Sequence, residues 1–125
     1  MKRRKQIFES PDGSLSVDVF IEHWEVILAF ARTTDAALGD FAEACSYSSD
    51  PHDVVRVATH DLETIVAFLF RVRTNLESAA PLEPEPTADI LENFSNSELG
   101  RMLGDVIGVL REAIRLERPF RAWRE

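Results

Sequence analysis

The chain has 125 residues, 45% of them apolar and with eight Phe and two Trp, which is the size and composition of one folded domain and excludes a disordered tail. Fourteen Lys and Arg against twenty-two Asp and Glu leave a net charge of -8, which disfavours nucleic acid as a ligand and favours a basic protein partner. One cysteine, Cys45, excludes an internal disulfide and fits a reducing, cytoplasmic setting, and no apolar run reaches the roughly 18 residues of a membrane span.

The first five residues, Met1-Lys2-Arg3-Arg4-Lys5, read as a basic tail. No apolar stretch follows them as it would in a signal peptide. Residues 6–110 hold nineteen acids against five Arg, and residues 111–125 hold five Arg against three Glu, so an acidic body carries basic ends. Twelve Arg against two Lys suggest a bacterial, GC-rich source.

Residues 6–19 read as a hairpin. Leu15, Val17 and Val19 alternate with Ser16 and Asp18, a strand period, and Pro11-Asp12-Gly13 supplies turn chemistry. The alternative is a helix start capped by Ser14 or Ser16. A first helix is predicted over residues 18–47, because Phe20, Trp24, Ile27, Ala31, Leu38, Phe41 and Cys45 keep one stripe at 100° per residue. A break near Thr34 is the alternative. The first half of this helix is apolar nearly all round, as in a central bundle helix or at a subunit contact. Asp18, Glu22 and Glu25 share its polar face, at i, i+4 and i+7.

Asp50 and Pro51 give a helix start, and Val54, Ala58, Leu62, Ile65, Leu69, Val72 and Leu76 predict a second helix running to about Glu77. Residues 80–87 are a Pro-rich linker loop. Thr87 caps a short helix through Phe94. Ser95-Asn96-Ser97-Glu98 is a capping box for a last helix, whose inward residues are Leu99, Leu103, Val106, Leu110, Ala113 and Ile114. Pro119 ends it, and residues 119–125 read as a second basic tail. The expected fold is mainly α: a single helical domain over 1–125, a compact bundle of three long helices plus a short fourth, with an N-terminal hairpin.

Catalytic constellations fail one by one. His23, His52 and His60 form no i, i+4 pair, and no His-Glu-x-x-His is present, so no metal site and no cofactor is expected. His23 falls on an apolar surface, as a core histidine bonded to a carbonyl would. Glu22-x-x-Glu25 has the spacing of a magnesium-binding pair but no acidic partner pair on another helix. Arg56 to His60 leaves three residues between them, where the helical ribonucleases of that pattern have four to six. Cys45 lies on the apolar stripe, as a small buried hydrophobe.

Two features remain. Asp61 falls inside the apolar arc of the second helix, where a buried carboxylate has to be paired or shift its pKa. Gly100, Gly104 and Gly108 form a smooth ridge continued by Arg111 and Arg115, suited to close packing within the chain or against a second copy. The resulting expectation is a non-enzymatic protein-binding module, in the manner of an immunity protein or antitoxin-like inhibitor. It would use Asp18, Glu22, Glu25 and Asp61 to cap a basic partner surface. The alternatives are a small helical enzyme or ligand-binding protein using Asp61, His60 and Glu22, and a homodimeric scaffold.

Overall fold

The computed structural model describes residues 4–48, 52–79 and 95–125. In chain order these form β1 (Lys5–Glu9), β2 (Ser16–Phe20), α1 (Ile21–Thr34), α2 (Ala36–Ala44), β3 (Val54–Val55), α3 (Thr59–Ser78), α4 (Asn96–Leu116) and β4 (Phe120–Arg124). The four strands make one antiparallel sheet in the order β2-β1-β4-β3. The fold is therefore mixed α+β, and the expected bundle of three long helices is corrected by a sheet that joins the two ends of the chain.

The hairpin forms as its turn residues require. Gly13 N–H donates to Ser10 O at 3.0 Å, and Gly13 takes the left-handed φ of 75° that a side chain would strain. Phe8 faces the helices and meets Trp24 edge-on, with ring centroids 5.1 Å apart.

The single helix predicted over 18–47 is instead a strand end and two helices. Asp35 is extended (φ -158°, ψ 112°), and its carboxylate caps α2 by accepting from Leu38 N–H at 3.0 Å. The break falls where the sequence offers its alternative, near Thr34; the shared 100° phase favours one helix because α2 resumes with Gly39, Ala42 and Cys45 buried, with Phe41 turned outward. Gly39 is where the two helices touch: a Cβ there would lie 2.7 Å from Arg32 Cγ and 3.0 Å from Arg32 Cα. Arg32 Nε then reaches Asp40 Oδ1 at 2.9 Å.

The second helix starts later than predicted. Val54 and Val55 pair with Arg121 and Phe120 of β4, and α3 begins only at Thr59. Ala58, placed on the core stripe by the sequence, is exposed. The linker over 80–87 and the short helix through Phe94 lie outside the described residues. The last helix matches its expectation closely. Ser95 Oγ accepts from Glu98 N–H at 3.1 Å, and Leu99, Leu103, Val106, Leu110 and Ala113 are buried. The helix closes with Glu117 in the left-handed region (φ 53°), and Arg118 N–H donates to Ala113 O at 3.2 Å.

Residues 119–125 are not a tail. Phe120 and Ala122 are wholly buried while Arg121 is exposed, a strand alternation that the three arginine and tryptophan side chains around it mask in composition. β4 is a central strand, bonded to β1 on one side and β3 on the other. Likewise Lys5, at the end of the expected N-terminal tail, opens β1. α3 and α4 form the most extensive helix pair, and the core lies between this pair, α1 and the inner face of the sheet.

Candidate binding groove

The structure scatters the predicted acidic face. Asp18 is on β2, not on a helix, and its carboxylate meets Lys5 Nζ at 3.1 Å. Glu25, on α1, accepts from Arg124 Nη2 at 3.0 Å. Glu22 is in the first turn of α1, and its Oε2 is buried with no hydrogen-bond partner among the described residues. Asp61 is exposed in the first turn of α3, where it complements the helix dipole; the buried carboxylate expected there is corrected. Val54, part of the apolar stripe predicted for this helix, precedes it and sits on β3.

Beside Asp61, His60 is exposed, so the Asp61, His60 and Glu22 set stands in the first turns of two different helices. His23 is buried and meets Phe20 edge-on, with centroids 5.8 Å apart. Among the described residues no three His, Cys, Asp or Glu side chains gather closely enough to hold a metal ion. Burial pushes the Cys45 thiol up to about 11, so it stays protonated near neutral pH.

The glycine ridge divides in two. Gly100 and Gly104 face Arg73 of α3, and a Cβ at Gly104 would overlap the Arg73 guanidinium. Gly108 has open space where its side chain would be. Arg111 lies over the ring of Phe70, 5.8 Å from its centroid, and Arg115 Nε bonds Glu112 at 2.9 Å.

A buried polar cluster that the sequence did not single out ties the sheet to the helices. Gln6 is fully buried; its Nε2 donates to Ser46 O, and its Oε1 accepts from Arg124 Nε at 2.9 Å. Trp24 Nε1 donates to Ser46 Oγ at 2.8 Å, and that hydroxyl donates to Ala42 O at 2.9 Å. Arg124 also lies 5.0 Å from the centroid of the Tyr47 ring. Every member has partners, so the cluster acts as a fastening between β1, β4, α1 and the end of α2.

A concave feature lies elsewhere among the described residues, between β2 and the N-terminal half of α4. It is a groove of about 340 Å³. Its buried and half-buried lining is Val17, Val19, Phe20, Met102 and His23, and its rim carries exposed Asp18 and half-buried Lys5 on the sheet side and exposed Glu98, Arg101 and Asp105 on α4. Glu98, Arg101, Met102 and Asp105 stand at i, i+3, i+4 and i+7, one face of the helix. Lys5 is paired with Asp18, and Arg101 Nη1 lies 3.8 Å from Asp105 Oδ2, whereas Glu98 forms no ion pair among the described residues. Compared with known proteins, the chain matches no family, no curated protein and no solved structure.

Proposed function

We propose that this protein is a non-enzymatic binding module that docks on a basic partner protein, as an immunity protein or antitoxin-like inhibitor does on its target. The observation that carries the reading is the groove between β2 and α4, with an apolar lining, three carboxylates on its rim and Glu98 without an ion-pair partner among the described residues. A site of this kind gains contact area from Val17, Val19 and Met102 and selects its partner through charge. The net charge of -8 adds long-range attraction, which raises the rate of encounter with a basic surface and weakens with salt. Within the original acidic set, Asp18 belongs to this site. Glu25 is occupied by Arg124, and Asp61 lies on a different helix.

The test is a binding screen of the purified protein against immobilised extended peptides of matched length that carry Lys and Arg, Asp and Glu, or no charge. The basic set should bind best and lose affinity as salt rises. The double change Glu98→Gln and Asp105→Asn, both exposed, should weaken that preference and leave the melting temperature close to wild type, since Gln keeps the capping box. Equal binding to all three sets, or none to the basic set, refutes the reading.

A further inference from the structure

We infer that the open edge of β2 takes up an extended segment of the partner as an added strand, with its basic side chains at the α4 rim; this rests on the binding-module reading above. Among the described residues β2 ends the sheet and has a strand neighbour only in β1. The bonds at the two ends of that ladder fix which backbone groups are used. Ser10 N–H donates to Leu15 O at 2.9 Å, and Ile21 N–H donates to Arg4 O at 3.1 Å. In an antiparallel pair, residues bonded across the ladder alternate with residues whose groups point away. With Lys5 opposite Phe20 and Glu9 opposite Ser16, this register bonds Val17 and Val19 to β1. It therefore turns the N–H and C=O groups of Ser16 and Asp18 to the open side.

Edge strands with unbonded groups are templates for another strand, and proteins commonly blunt them with charges or cover. Here the one charge on the edge is drawn back: Asp18 is held by Lys5, which belongs to β1. Val17, Asp18, Val19 and Phe20 of this edge line the groove together with Glu98, Arg101, Met102 and Asp105 of α4. A strand added to the edge would lie about 4.8 Å from β2, on the side away from β1. Side chains of such a strand alternate. One set, turned to the inner face, meets Val17, Val19 and Met102 and comes beside Glu98, the carboxylate still open to a Lys or Arg, and the other set passes the Asp18 carboxylate on the outer face. The occupant is thus a segment of another protein in which apolar residues alternate with basic ones.

The experiment is amide hydrogen exchange by NMR on the full chain, with and without a blocked synthetic peptide of alternating Val and Lys. On saturation the Ser16 and Asp18 amides should slow by about tenfold or more, while Val17 and Val19, already bonded to β1, should hardly change. The same peptide N-methylated at alternate residues keeps its charge and should lose binding. Glu98→Gln should weaken the unmodified peptide and keep the same two amides protected. Salt-sensitive binding without protection of Ser16 and Asp18 overturns strand addition and leaves the binding module standing. Protection that arises without peptide and grows with protein concentration, alongside a doubled mass, assigns the edge to a second copy and overturns the inference. No binding by any basic peptide overturns both readings.

Discussion

The carboxylate of Asp12 accepts three hydrogen bonds inside the β1–β2 turn, from Ser14 N–H at 3.0 Å, Ser14 Oγ at 2.7 Å and Ser10 Oγ at 2.9 Å. Bonds from Ser14, side chain first, hold its pKa at about 2 against an ordinary 3.8. The group's folded pKa is depressed, so its stabilisation is present above the unfolded value and is lost as pH falls through the folded one. The window runs from about 4 down to about 2. Asp12→Asn should therefore flatten the acid limb of the stability curve in that window and leave the curve above pH 5 parallel to wild type, as read from denaturant melts across pH. Glu112 is also held below its ordinary value, chiefly by the hydrogen bond from Arg115 and against a smaller upward push from the Asp12 charge, and gives the wild-type curve a second contribution. Loss of the whole acid slope in Asp12→Asn would mean that the turn alone governs it.

At the scale of elements, two glycines make the same substitution act with opposite sign. Gly39 sits where α2 crosses α1, and a Cβ there meets the backbone of Arg32 at 3.0 Å, which cannot swing aside. Gly39→Ala should cost roughly 1–3 kcal/mol by overpacking. Gly108 is half-buried within α4 with nothing in the way of a Cβ, so Gly108→Ala should gain up to about 1 kcal/mol of helix propensity. Thermal melts of the two variants decide both, and a shift of the same sign in each would show that neighbouring contacts do not distinguish the sites. The elements also differ in how far the sequence disclosed them. α4 was readable because its cap at Ser95 and its apolar stripe are local signals, and the hairpin was readable from Pro11-Asp12-Gly13. The break at Asp35 is legible only as the alternative near Thr34, since a cap residue and a continuing stripe pull in opposite directions. β3 and β4 escaped because their evidence is pairing between residues 54–55 and 120–121, far apart in the chain, while Arg121 and Arg124 gave the last segment the composition of a tail. The groove was hidden for the same reason. The alternation of β2 and the polar face of α4 are each legible, but that they flank one cleft follows only from the sheet order.

For the whole molecule, the pairing of β1 with β4 changes the case for self-association. In the sequence two features favour a second copy: a first helix with more apolar surface than neighbouring helices can cover, and the glycine ridge on the last helix. The sheet removes the first, because Trp24, Ile27, Leu28 and Ala31 are all covered within one chain, packed against the sheet and α3. The second is halved, because Gly100 and Gly104 serve the passage of Arg73 across α4, leaving Gly108 open near the exposed ring of Phe70 and the Arg111 guanidinium. One open glycine beside one exposed aromatic is well below the roughly 800 Å² per partner of a stable interface. The expected species in light scattering is therefore a monomer of 14.1 kDa at all concentrations tested. A mass near twice that would put either the Gly108 face or the open edge of β2 at a subunit contact. Gly108→Leu separates the two. At the helix face the bulk of Leu blocks close approach and returns the monomer, whereas a dimer paired through β2 keeps its mass, because Gly108 lies beyond Asp105, the last groove residue on that helix, by about 4.5 Å along α4.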